Sequence, residues 1–260
     1  QIKNSPVHKL AQEKKITIYH PENFNSSKII DEFKKIKSDI VVVMGYGLIL
    51  PKKILNIPTY GFINIHLSLL PRWRGAAPIE HAILHGDKIT GVSIFQIEQK
   101  LDSGPIISSK SVKIKNNYSK DKLTKLLNEA GSNLLNLSLP KIFEKKILFK
   151  NQDNSKATYA AKITSELRKI NFNQKVDDVY NHIRAFSPKP SAWFFFENKR
   201  INIIKCSKQI CNSKKSTILN KEFHIGCNDG KIIPEIIQKE GKKPMDIKEF
   251  LRGFNFSIDQ

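Results

Sequence analysis

Acidic residues are in short supply: 24 Asp and Glu face 44 Lys and Arg, for a formal net charge of +20. A strongly acidic surface is thereby excluded, and two explanations of the excess stay open. One is a polyanionic partner such as nucleic acid, because Lys and Arg near phosphates release counterions. The other is a merely solvated surface, since Lys, Asn and Ile are abundant together. The excess is spread, with 20 basic against 12 acidic residues from 151 onward and 24 against 12 before it. Cysteine is nearly missing. Its three residues, Cys206, Cys211 and Cys227, are an odd number in a long chain for which no signal peptide is expected, which argues for free thiols in a reducing cytoplasm. Cys206 and Cys211 lack a second Cys pair or a His-x-His nearby, so no metal site is expected. Long apolar runs are missing too: none approaches the roughly 18 to 20 residues of a membrane helix, and a soluble protein is expected. There is no internal repeat. The chain starts at Gln1 rather than Met, and the expectation is that its native N-terminus lies upstream.

What is present reads as a folded chain of one large or two small domains, with 260 residues, 40% of them hydrophobic and 26% charged. Residues 16–150 alternate β-rich runs with helical patterns, the grammar of an α/β sheet. "ITIYH" is a short strand, and "SSKIIDEFKKIK" a helix with Ile29, Ile30, Phe33 and Ile36 at helical spacing behind Ser26 or Ser27 as cap. "DIVVVMGYG" has the unbroken apolar pattern of a strand buried on both faces. "GFINIHLS" and "GVSIFQIEQ" are further strands, separated by the helix "APIEHAILHG" with Pro78 in its first turn and Gly86 at its end. Residues 119–146 read as a long helix interrupted near Pro140. The polar segment 151–172 is the expected boundary between a unit over 1–150 and one over 173–260. Beyond it come a short helix, "VDDVYNHIRAF", and strands joined by turns at Asn198-Lys199 and Asn228-Asp229-Gly230, suggesting a small β-barrel. "AWFFFE" reads as barrel core. "MDIKEFLRG" closes the chain as a helix with Asp246 and Glu249 as a capping box and Gly253 as its stop.

The segment "GFINIHLSLLPRWRGAAPIEHAILHGD" holds the chemistry. Side chains alternate on a strand, so Asn64 and His66 share one face while Ile63, Ile65 and Leu67 take the other. Either the polar pair faces a cleft, where open α/β sheets bind ligands, or it is a buried pair satisfied by backbone. Asp102 follows the next strand in "LDSGP"; if the two strands run parallel, their shared ends bring it near His66. It reads equally as an ordinary turn Asp before a Gly. Together the three offer a neutral N–H donor, an imidazole and a carboxylate beside it, able to stabilise an oxyanion and move a proton. They include no nucleophile, which points to direct transfer between two bound substrates. Arg72 and Arg74 flank Trp73, a grouping that suits the unpaired end of a nucleic acid or a packed surface turn. His8, His20, His81, His85, His182 and His224 have no sequence partners and read as fillers.

"NIHLSLLPRWRGAAPI", "TGVSIFQIEQKLDSGPI" and "EGKKPMDIKEFLRG" resemble the 10-formyltetrahydrofolate-dependent formyltransferases. The Asn-x-His and Leu-Asp-x-Gly pair is specific to that superfamily, and "WRGAAPI" with the C-terminal motif narrows the resemblance to the branch acting on initiator Met-tRNA. It runs along the whole chain, with "ATYAAKIT" resembling the interdomain link. "KNSPVHKLAQE" resembles a stretch well inside the family's first domain, so roughly one βαβ unit is expected to precede Gln1. The resemblance implies a Rossmann-like α/β domain followed by an OB-like β-barrel that binds tRNA, in a cytoplasmic monomer with no metal, serving translation initiation. It implies Asn64, His66 and Asp102 as the catalytic trio, with Ser68, Leu69, Leu70 and Pro71 contacting the 10-formyltetrahydrofolate co-substrate. Met44, Gly45, Tyr46, Gly47, Leu48, Ile49 and Leu50 would line the pterin pocket. Arg72, Trp73 and Arg74 become candidates for the acceptor end, and Lys242 and Lys243 for the tRNA body, although a lysine pair at a turn is often only solvated. Two alternatives remain: a formyltransferase for a nucleotide-linked amino sugar, and a non-catalytic tRNA-binding relative.

Overall fold

The computed structural model describes residues 4–47, 50–253 and 256–258. Its first unit runs α1 (Pro6–Glu13), α2 (Ser27–Lys35), β1 (Val41–Val43), α3 (Lys52–Leu55), β2 (Phe62–His66), β3 (Arg74–Gly75), α4 (Pro78–Leu84), β4 (Ile89–Gln96), β5 (Ile106–Lys113) and α5 (Lys120–Phe143). Four strands form a mixed sheet in the order β1-β2-β4-β5, with β1 and β2 parallel and the other pairs antiparallel. Alternation along β2 buries Ile63 and Ile65 in the core. Gly131 lets α5 settle on that face, since a Cβ there would lie 3.0 Å from Ile65 Cγ2. Pro78 opens α4 where its missing N–H costs nothing, and Gly86 at φ +68° follows the helix end.

Several expectations are corrected in this unit. Residues 16–20 form no strand; Ile16 and Tyr19 are exposed, and β-branched or aromatic composition makes a strand only where a neighbouring strand accepts its backbone groups. β1 is not buried on both faces, because it is short and, among the described residues, pairs with β2 alone, leaving Val42 exposed. Pro140 does not interrupt α5, which continues to Phe143. In the last turn the missing proline N–H forfeits a single ladder bond.

The connecting segment is built into the fold. Its β6 (Tyr159–Ala160) pairs in parallel with β3, Arg74 facing Tyr159 and Gly75 facing Ala160. α6 (Val176–Phe186) then packs on α4, and Asp229 caps its start by accepting the Val176 N–H at 2.7 Å. The second sheet contains β7 (Ala192–Phe196), β8 (Lys199–Ile210), β9 (Ile225–Gly226), β10 (Gly230–Lys239) and β11 (Met245–Asp246), in the order β11-β10-β8-β7 with β9 also on β10. Register shifts between Pro234 and Ile237 bend β10, curling the antiparallel sheet into an OB-like half-barrel. The hairpin turn is Glu197 and Asn198, at φ +48° and +59°, one residue earlier than expected. Two left-handed residues match the twist of the flanking strands, so Lys199 begins β8. α7 (Ile247–Arg252) starts under an Asp246 cap that accepts the Lys248 N–H. One hydrophobic core joins Ile63, Val92 and Leu127 of the first unit to Ile183, Phe186 and Ile203 of the second.

Candidate active site

At His66 β2 ends and the chain reverses. The turn is tied internally: the Ser68 hydroxyl donates to the Arg72 carbonyl at 2.6 Å, and Ser93 Oγ donates to the Ser68 carbonyl at 2.8 Å while accepting the Leu70 N–H at 3.0 Å. Trp73 completes it at φ +60°, which aims its carbonyl at His66 Nε2, 2.8 Å away. A carbonyl only accepts, so Nε2 carries a proton, and Nδ1 faces Asp102.

Asp102 reaches His66 by a route other than the one expected. β2 and β4 are antiparallel, with His66 opposite Ser93 and Ile63 opposite Gln96, so β4 ends beside the far end of β2. The loop 97–105 brings the chain back. Asp102, at φ +46°, sets its Oδ2 3.7 Å from His66 Nδ1, and the same oxygen accepts the Gly75 N–H at 2.7 Å. Two close approaches require glycine. A Cβ at Gly104 would lie 1.8 Å from the Gln96 carbonyl oxygen, and one at Gly75, at φ +113°, would lie 2.7 Å from that of Ala160.

Asn64 and His66 share one face, as the alternation requires, and with Asp102 they line a cleft of about 600 Å³. Asn64 Oδ1 is buried without a hydrogen-bond partner. Leaving such a group unmatched costs about 1–3 kcal/mol, which a ligand with a complementary polar group would recover. One wall of the cleft is Val43, Met44, Gly45, Tyr46, Gly47 and Leu50; Leu48 and Ile49 lie outside the described residues. The turn through Lys100 and Leu101 also borders it, and Ile65, Phe95 and Ile97 contribute apolar surface.

The other expected residues are placed differently. Ser68, Leu69, Leu70 and Pro71 do not line the cleft: Ser68 and Leu70 are buried, and Leu69 lies over Gly91. The hydrogen bonds of Ser68, Leu69 and Leu70 are spent on the turn that aims the Trp73 carbonyl, and the Pro71 carbonyl accepts the Thr158 N–H. Trp73, expected as a stacking platform, is only 5% exposed. Its indole N–H donates to Asp87 at 2.8 Å, His85 packs on it with centroids 4.6 Å apart, and the Arg72 guanidinium lies 4.3 Å from its ring. A Trp with its N–H satisfied and its faces covered gains more from burial than from solvent. Arg74 is also buried, 3% exposed, and turns into the cleft wall. Of the three, Arg72 alone stays at the surface, bidentate on Asp87 at 2.9 and 2.6 Å, a bond that raises its pKa further. Lys242 and Lys243 are exposed on the turn between β10 and β11.

Gln152 carries no signal in the sequence, because its partners lie 50 and 78 positions away. Its amide nitrogen donates to the Asp102 and Gly104 carbonyls at 2.9 and 2.7 Å, and its oxygen accepts from Arg74 Nε and Nη2 at 3.1 and 2.7 Å. Arg74 Nη2 also reaches Asn154 Oδ1 at 2.9 Å. Tyr159, Ala161 and Lys162 of the same segment line the cleft. His81, read as a filler, lies tilted against Trp73 with centroids 5.5 Å apart and meets the Ala161 carbonyl through Nε2 at 3.2 Å, with burial lowering its pKa. Cys206 and Cys227 are buried free thiols whose pKa values burial raises, which makes them inert. Among the described residues no group of three His, Cys, Asp or Glu could hold a metal ion.

Residues 1–139 match the family described as formyl transferase, and residues 162–255 the one described as formyl transferase, C-terminal domain. The methionyl-tRNA formyltransferase of Wolbachia pipientis subsp. Culex pipiens (strain wPip) is 44% identical over 258 residues, 99% of this chain and 84% of that protein. Among solved structures, the N-formyltransferase of Helicobacter canadensis in complex with folinic acid and dTDP-3-aminofucose superposes with a TM-score of 0.69 and 21% identity, over 90% of this chain and 82% of that one. HypX from Aquifex aeolicus, solved with tetrahydrofolic acid, has a TM-score of 0.68 and 15% identity, over 89% of this chain and 44% of that one. These two likenesses show the fold.

Proposed function

The chain belongs to the methionyl-tRNA formyltransferases, and from that premise we propose how its residues serve the reaction. It transfers the formyl group of 10-formyltetrahydrofolate to the α-amino group of methionine on initiator Met-tRNA. The amino-sugar alternative is not favoured, since the Wolbachia protein, 44% identical over nearly the whole chain, is named a methionyl-tRNA formyltransferase.

The chemistry of the cleft supports a folate as its occupant: it is largely apolar, bordered by Gly45 and Gly47, and holds the unmatched Asn64 oxygen on the same face as His66. Met44, Gly45, Tyr46, Gly47 and Leu50 would hold the co-substrate, which supplies the formyl carbon. Asn64 donates an amide N–H to the formyl oxygen as negative charge develops there, an effect worth about 10²–10³ in rate for one such donor. His66 Nδ1 accepts the proton of the attacking amine and passes it to the departing nitrogen. Asp102, 3.7 Å from Nδ1, stabilises the imidazolium formed in between. The barrel over 173–260 holds the tRNA body, with Lys242 and Lys243 as phosphate contacts, and Arg72 is the surface candidate for the acceptor end. Residues 1–150 are the catalytic domain and 151–172 the connection in a cytoplasmic monomer. No helix among the described residues is long and apolar enough to cross a membrane.

The meeting of Asn64, His66 and Asp102 at one cleft carries this reading. His66→Ala is expected to lower single-turnover formyl transfer by at least about 10²-fold, the usual scale for a positioned acid–base group, with tRNA affinity within about twofold. A large loss of tRNA binding instead would make His66 a contact rather than a proton carrier.

A further inference from the structure

Asp102 stands in a left-handed conformation, which Asp adopts more readily than most non-glycine residues and which its surroundings here hold in place. Two clamps do so. The Gly75 N–H fixes one carboxylate oxygen, and Gln152 fixes the backbone through the carbonyls of Asp102 and Gly104. Gln152 also grips the first clamp, because its oxygen binds the guanidinium of Arg74, the residue before Gly75. A side-chain amide has two donors at one corner and a two-lone-pair oxygen at the other, and all four are used here. Reversing the amide would set its oxygen against two carbonyls and its N–H groups against a guanidinium. No other side chain of that length meets both demands.

We propose that Gln152 is a positioning residue for formyl transfer, locking the Asp102 turn so that the carboxylate meets His66 Nδ1; this rests on the reading that Asp102 assists His66. Gln152 comes from the segment joining the two units, so the segment that leads to the barrel also sets the geometry of the trio. It touches no reacting atom and acts through Asp102.

The test is single-turnover transfer by the full protein from 10-formyltetrahydrofolate to charged initiator tRNA, with KM values and melting curves, in Gln152→Ala, Gln152→Glu, Asp102→Asn and the double variant Gln152→Ala with Asp102→Asn. Gln152→Ala is expected to lower the rate about 10- to 100-fold, the scale for losing an orienting partner, with KM for both substrates within about threefold. Gln152→Glu keeps the acceptor for Arg74 but loses both donors, and should lose rate similarly; it carries the test if the alanine variant fails to fold. In the Asp102→Asn background, Gln152→Ala should cost less than about threefold, because the two act as a unit. Wild-type rates in both Gln152 variants, an undiminished loss in the Asp102→Asn background, or a raised KM at constant rate would each overturn the proposal. If Asp102→Asn alone transfers at the wild-type rate, the role given to Asp102 fails first, and that result is told apart by the single variant.

Discussion

Gly75→Ala tests the site where β3 meets β6. The added methyl would begin 2.7 Å from the Ala160 carbonyl oxygen, and relief to an ordinary contact of 3.4 Å requires β3 and β6 to part by about 0.7 Å. At φ +113° an L-residue also carries a backbone penalty of about 1–2 kcal/mol. A total near 2 kcal/mol corresponds to a Tm lower by about 4–8 °C, at ~2–4 °C per kcal/mol for a chain of this size. The strand that moves carries the N–H holding Asp102 Oδ2, so the carboxylate shifts relative to His66. Since a 1 Å misplacement costs up to about 10²-fold, single-turnover transfer should fall about 10- to 100-fold, or ~1.4–2.8 kcal/mol of transition-state stabilisation. Differential scanning calorimetry and single-turnover kinetics read the two effects separately. An unchanged Tm would refute the steric argument, and a lowered Tm with an unchanged rate would show that Asp102 does not depend on Gly75.

Reversing Lys242 and Lys243 to Glu in the full chain should weaken tRNA binding and flatten its salt dependence by about 0.9 in log–log slope for each phosphate no longer neutralised; an untouched slope would remove these lysines from the interface. Truncation at 173 is a poorer test, because it strips α6 from α4. His182 is largely buried, its Nε2 has no partner, and burial lowers its pKa. The native state therefore prefers it neutral: its contribution is complete above the unfolded value of ~6.5 and is lost as pH falls through the lower folded value. His182→Phe, extending the existing edge contact with Phe186 at 5.2 Å, should lessen the fall in Tm between pH 7.5 and pH 5; an unchanged pH dependence would refute it.

The Asn64–His66 face was legible in the sequence because strand alternation is local and needs two residues only. The path of Asp102 was not. It depends on the direction of β4 and on a loop folded back through a left-handed residue, neither of which leaves a periodic trace. Trp73 and Arg74 misled for a similar reason. Basic and aromatic composition describes what a surface could bind, whereas Asp87, His85, Gln152 and Asn154, which bury the pair, are distant in sequence or unremarkable in type. Residues 16–20 show the converse, a strand-like composition that is no strand for want of a partner.

The shared core has a consequence for how the molecule comes apart. Ile63 and Leu127 belong to the same apolar cluster as Ile183 and Ile203, and α6 is the wedge between them, lying on α4 and on β8 at once. Withdrawing the second half would strip α6 from α4 and break that cluster. Two halves that match separate families thus share one core, and heat or denaturant that loosens the barrel is expected to open the cleft in the same transition.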